Sequence, residues 1–333
     1  MLIVDAHLDL SYNVLRGRDV TKPASEQPRV DNETATVGLP DLRAGNVGLI
    51  CATIFCPPGK YRSFGYTTAE EARRTAMTQL NWYRQQIDAG RMNFVLSAND
   101  LPAADEVASG PQRAILLLEG ADALRSPADV PEWFEYGLRI VGLAWRRTRS
   151  AGGTGEPGPL TDEGRAMVRA FDQAGIIHDI SHLADESFWQ LMELSPRPVM
   201  ASHSNARAIV PTDRQISDDM IRVIAERGGI IGLNLYDEFL MPPSEFRKRP
   251  CRMDDFLAHV KHMTDLLGDA THVALGTDLD GGVGREQIPQ EISTIAELSK
   301  IADALSACGF TDDDVLNIMG RNWLQFFARA LPQ

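Results

Sequence analysis

Short apolar runs alternate along this chain with longer stretches whose apolar residues recur at helical spacing. The runs cover residues 2–4, 49–55, 114–118, 139–144, 176–180, 198–201, 230–235 and 272–277. Helical patterns fill 67–89, 161–175, 184–194, 217–227, 253–267, 290–308 and 311–330. Thr67 or Thr68 is placed to cap the first of these, with Glu70 and Glu71 favourable against its N-terminal dipole. Residues 94–96 read as a short accessory strand, 18–38 as a polar surface loop, 150–160 as a Gly/Pro-rich loop and 236–251 as an insertion. About eight strands alternating with helices predict a single α/β domain over 1–333, a (β/α)8 TIM-type barrel. Its functional groups are then expected at the C-terminal ends of the strands.

Composition narrows the partners. A 333-residue chain with 44% hydrophobic and 24% charged residues has ample material for a large core. A net charge of −13 without a basic run excludes nucleic acid as a partner class. Cys51, Cys56, Cys251 and Cys308 lack finger spacing and read as reduced thiols, with Cys51 in the core. The first apolar run passes directly into Asp5 and His7 without a signal-peptide pattern, and no apolar run reaches the roughly 18 residues of a membrane span. A cytoplasmic protein without membrane association is the resulting expectation.

The chemistry concentrates where the runs end. Residues 175–214 form a strand–helix–strand pattern, and its two strands lead into Ser181-His182 and Ser202-His203. A right-handed crossover brings both strand tips to one face. His7 and Asp9, two apart in an extended segment, point to one side. Glu119 closes the apolar run 114–118, and a carboxylate there needs a cation or an arginine partner to offset several kcal/mol of burial cost. Asp278 ends the last run. Nitrogen and oxygen donors without thiolate suit two Zn2+ ions, with Mn2+ or Co2+ as alternatives. A hydroxide bridging such ions would attack a carbonyl, and Asp278 beside it would act as general acid/base. His259 and His262, three apart on a helix, read as a solvated face, while His178 and His272 read as structural.

The segments 5–9, 41–48, 117–120, 179–182, 201–207, 214, 228–234 and 276–281 resemble the membrane (renal) dipeptidase family, zinc peptidases of the amidohydrolase superfamily. Ala201-Ser-His-Ser-Asn-Ala-Arg207 and Gly276-Thr-Asp-Leu-Asp-Gly281 are the most specific of these motifs. The resemblance implies a (β/α)8 barrel with His7, Asp9 and Glu119 on one zinc and Glu119, His182 and His203 on the other. It further implies Asp278 as acid/base, Arg214 as holder of the substrate's terminal carboxylate, a dipeptide substrate tolerating a D-residue on the C-terminal side, and a homodimer. Trp145 departs from the family, which carries a histidine there that contacts the substrate carbonyl. An indole donates one hydrogen bond but carries no charge, so Arg146 or Arg147 is a candidate substitute. Substrate preference is assigned to loops 56–66, 145–160 and 236–252, with Trp145 and Tyr236 as contact residues. Two other functions fit the residues less closely. One is hydrolysis of another small amide or a lactone, and the other is a non-catalytic binding protein on the same scaffold.

Overall fold

The apolar runs become a ring of parallel strands. In the computed structural model, which describes residues 1–59 and 65–333, the strands are β1 (Ile3–Leu8), β2 (Val47–Phe55), β3 (Met92–Phe94), β4 (Gln112–Glu119), β5 (Leu138–Gly142), β6 (Ile177–Asp179), β7 (Met200–Ala201), β8 (Ile230–Leu233) and β9 (Val273–Leu275). The hydrogen-bonded order is β1-β2-β4-β5-β6-β7-β8-β9, and β3 pairs only with β4, outside this path. At the seam, Thr277 donates its N–H and hydroxyl to the Asp5 carboxylate, and the Asp278 N–H reaches the His7 carbonyl at 3.3 Å. The result is the nearly closed (β/α)8 barrel that the sequence pattern predicts.

Alternation along the strands separates two cores. Val4, Cys51, Ile115, Leu117, Ile140, Ile177, Met200, Ile230 and Ala274 fill the interior of the ring, and Trp323 and Phe327 plug its base. Ile50, Leu116, Leu118, Val141 and Leu233 face outward against the helices. The interior parity continues beyond the apolar layers, two residues at a time, into Glu119, Asp179, Ser202, Asn234 and Asp278. A barrel filled with hydrocarbon below is therefore lined with polar groups at its C-terminal mouth. The strands approach closely there, because a Cβ on Gly276 would lie 1.7 Å from the Ser202 carbonyl oxygen and one on Gly232 2.3 Å from it.

Some elements follow the pattern and others differ from it. The helix Ala69–Asp88 is capped by Thr68 in a reciprocal box with Glu71, close to its predicted start. The predicted helix 290–308 begins only at Ser299, because Ile295 turns to donate its N–H to Thr36. The segment 311–330 divides into Asp312–Leu316, a π-turn Asn317–Arg321 and Asn322–Ala330. Gly320 in that turn sits where a Cβ would be 2.7 Å from the Leu2 carbonyl oxygen. The stretch 18–38 is no simple surface loop, since Arg18, Val20, Thr36 and Val37 are buried. Arg18 and the Thr36 and Val37 amides converge on the buried carboxylate of Asp280. His259 is not on a solvated face. It is fully buried, accepts the Ala206 N–H at Nδ1 and faces the Leu240 carbonyl with Nε2. His262 is half-exposed and paired with Asp218. His178 and His272 are structural, bound to Asp172 and to the Gly229 carbonyl. Among the described residues no helix is long and apolar enough to cross a membrane.

Candidate metal centre

Six of the residues singled out from sequence meet at the C-terminal mouth of the barrel. His7 comes from the end of β1, Glu119 from the last residue of β4, and Asp9, His182, His203 and Asp278 from just beyond β1, β6, β7 and β9. His182 and Asp278 both have left-handed backbones, with φ of 66° and 58°. Residues other than glycine rarely adopt that conformation, and here it turns each side chain back over the barrel mouth.

Glu119 occupies the middle. Its Oε2 is 3.7 Å from His7 Nε2, while its Oε1 is 3.2 Å from His182 Nε2 and 3.6 Å from His203 Nε2. On the first side, His7 Nε2 also lies 3.5 Å from Asp9 and 4.0 Å from Asp278. On the second, the two Nε2 atoms of His182 and His203 are 3.0 Å apart. Such spacings resemble the edges of a coordination shell, where ligands about 2.1 Å from zinc stand about 3.4 Å from one another. His7 Nε2 and Asp9 Oδ1 are buried with no hydrogen-bond partner. Buried polar atoms aimed at a common centre and left unpaired are what a cation would satisfy.

The electrostatics agree. Burial pushes the His182 and His203 imidazoles well below their usual range, and the nearby charges of Arg214 and His7 push them further, so both are neutral and have a lone pair to give. Burial also disfavours charge on His7, but Glu119, Asp9 and Asp278 overcome it and raise the imidazole to about 10. That cluster draws in positive charge, which a divalent cation would supply in place of a proton. Burial, with Asp9 adding to it, raises Glu119 well above the carboxylate range, and Asp278 to about 7. The donor set fits a metal. His7, Glu119 and His203 converge, as do His7, Asp9 and Asp278, with donor atoms within 4.8 Å of one another in each group.

Around this centre lies a cavity of about 600 Å³. Arg214 lines it and is itself 4% exposed, with its guanidinium over the Phe239 ring. Its two terminal nitrogens donate to the Ser204 hydroxyl and the His203 carbonyl, and Nε has no hydrogen-bond partner. Desolvation brings this guanidinium down to about 10. Trp145 forms a half-buried wall, 5.1 Å from the Phe55 ring and 6.1 Å from that of His182. Tyr236 stands at the rim, its hydroxyl donating to Glu238. Arg146 also lines the cavity. Arg147 is exposed and donates to the Pro157 carbonyl, away from the centre. Part of the predicted specificity loop 56–66 lies outside the described residues.

Sequence reasoning gave no role to Asp179, Ser202, Asn234 or Thr154. Asn234 donates to Asp278 Oδ2 at 2.8 Å, and Thr154 Oγ1 is 3.0 Å from His182 Nδ1. For the first three the available signal was parity, because each continues the inward face of its strand beyond the apolar layer. Thr154 comes from the Gly-rich loop and left no such signal.

The fold has counterparts among known proteins. The family model for membrane dipeptidase, peptidase family M19, matches residues 1–331. Dipeptidase AC, a metallopeptidase of family M19, superposes with a TM-score of 0.85 at 26% identity over 100% of this chain and 99% of that one. A metallopeptidase from Rhodobacter sphaeroides, solved with a phosphinate mimic of the dipeptide L-Ala-D-Ala, gives a TM-score of 0.84 at 25% identity, covering 99% of both chains. Dipeptidase tcpJ of Claviceps purpurea is 25% identical over 96% of this chain and 74% of its own length. The chain belongs to the membrane dipeptidase family, peptidase family M19, and is a metal-dependent dipeptidase of that family.

Proposed function

We propose that this protein hydrolyses the amide bond of dipeptides at a centre holding two zinc ions, with His7, Asp9 and Glu119 around one and Glu119, His182 and His203 around the other. The observation that carries this reading is the split of Glu119, whose two oxygens face different sets of imidazoles. Mn2+ or Co2+ would suit the same donors. When bound, the ions supply an acidified water and a Lewis acid toward the scissile carbonyl.

The chain's own residues supply the rest. Arg214 presents a buried, charged fork suited to the substrate's terminal carboxylate, which fixes the direction in which a dipeptide enters. Asp278, lifted to about 7, stands where it can take a proton from the attacking water and pass it to the leaving amine. Asn234 holds one Asp278 oxygen and leaves the other facing the centre. Trp145 and Tyr236 are assigned to the substrate-side walls. The Rhodobacter sphaeroides relative, bound to its L-Ala-D-Ala mimic, supports a D-residue on the C-terminal side. The same reading includes a cytoplasmic location, one domain over the whole chain and a homodimer.

Trp145 favours a second reading. Where the resemblance implies a histidine touching the carbonyl, this chain presents an uncharged indole, which would suit another small amide or a lactone. Metal content, measured together with hydrolysis of a panel of L-Xaa-L-Xaa and L-Xaa-D-Xaa dipeptides, separates the two. About two metals per chain and turnover that disappears in Asp278→Asn support the dipeptidase. Two metals with no dipeptide cleaved move the substrate to other amides and lactones.

A further inference from the structure

The Ser202 hydroxyl makes three close polar contacts below the metal centre. Its oxygen lies 2.6 Å from Asp179 Oδ2, 2.7 Å from His203 Nδ1 and 3.2 Å from His7 Nδ1. Ser181 Oγ, at 3.3 Å, is more distant and outside the usual O–H···O range. Ser202 and Asp179 are 0% and 3% exposed, so these contacts are internal.

A hydroxyl has one proton and two lone pairs, and a carboxylate can only accept. The remaining Asp179 oxygen, Oδ1, accepts the N–H groups of Ser181 and Ser202 at 3.0 and 2.8 Å, which holds the carboxylate in place. The Ser202 proton therefore goes to Oδ2, and both serine lone pairs are left to accept. They accept from His7 Nδ1–H and His203 Nδ1–H. Each imidazole is thereby held with its proton on Nδ1 and its lone pair on Nε2, the atom facing Glu119. The two rings also lie close together, with centroids 3.7 Å apart and planes tilted by 36°.

We propose that Ser202, anchored by Asp179, is a positioning residue that sets the tautomer of two imidazoles at once, one on each side of Glu119. This rests on the two-metal reading above. The two metal positions then share one hydrogen-bond anchor, and its loss reaches both. His182 is different, because its Nδ1 is met separately by Thr154.

The test is cobalt(II) binding to the full chain, followed by ligand-field absorption and by competition with a chelator of known affinity. The wild-type protein should take up two ions. Ser202→Ala should weaken both by roughly 10- to 100-fold, the usual cost of removing a group that orients a metal-binding histidine. Ser202→Thr keeps the hydroxyl and should recover most of the affinity. Thr154→Ala should weaken one ion only. Asp179→Asn is the most discriminating variant. Its amide would donate to Ser202, turning the serine proton onto one imidazole, so one ion should be weakened more than the other. Circular dichroism melting of each variant separates loss of fold from loss of metal. Wild-type affinity for either ion in Ser202→Ala, or for both in Asp179→Asn, overturns the shared anchor. Fewer than two ions on the wild-type protein overturns the two-metal reading, and the anchor with it.

Discussion

Asp278→Asn should stabilise the metal-free protein and cost the zinc-loaded enzyme most of its activity. Asp278 is buried beside two other carboxylates, and desolvation, with the charge of Asp9, raises it from 3.8 to about 7 against the opposing pull of His7 and Arg214. Below pH 3.8 the folded and unfolded chains both hold the proton, and stability is unaffected by this group. As pH rises toward 7 the unfolded chain releases its proton and the folded chain retains it. Stability then declines, by about 4 kcal/mol at about 1.4 kcal/mol per tenfold change. Asparagine has no proton to release, and its carbonyl can still accept from Asn234. Urea denaturation after chelation should give closely similar stabilities near pH 4 and a gap of about 4 kcal/mol in favour of the variant by pH 7.5. Zinc should close most of the gap, because the ions compensate the carboxylate charge. Turnover of the zinc-loaded variant should fall by about 10²- to 10⁴-fold, the usual contribution of a general acid/base. A metal-free variant no more stable than wild type at pH 7.5 would refute the electrostatic account of this cluster.

Other perturbations have distinct signatures. Arg214→Met should raise KM for dipeptides by about 10²-fold or more with a smaller change in kcat, consistent with about 3 kcal/mol for a desolvated charge pair; an unchanged KM would remove Arg214 from substrate binding. His259 should make the protein acid-sensitive. Burial lowers its imidazole from 6.5 to about 4, so stability is full above pH 6.5 and declines by about 3 kcal/mol as pH falls to 4. Comparing the pH dependence of melting in His259→Gln and wild type isolates this contribution, and identical slopes would exclude it. Trp145→His installs the histidine that the resemblance implies and should raise kcat on dipeptides if carbonyl contact limits turnover there; an unchanged kcat would count against that contact.

The ring of strands was legible because parallel strands buried on both faces leave continuous apolar runs, and these survive reading without a structure. The donor residues were legible because each ends or closely follows such a run, so Glu119 at the tip of β4 stands out by its polarity alone. His259 misled for the opposite reason. Its spacing from His262 suggests one helix face, but that face is covered by the segment around Leu240, and the carbonyl that binds its Nε2 comes from 19 residues away. The break at Asn317–Arg321 is equally non-local, since it follows from the close contact between Gly320 and the first strand. The Ser202 anchor depends on three strands and on the proton inventory of a hydroxyl. A serine preceding a histidine carries no local sign of that role.

Anomalous scattering recorded at the zinc edge from crystals of the zinc-loaded protein would count and locate the ions. A two-zinc centre gives two peaks a few ångströms apart, one on each side of the Glu119 carboxylate, the first near His7 and Asp9 and the second near His182 and His203. One peak, or two peaks without Glu119 between them, would contradict it.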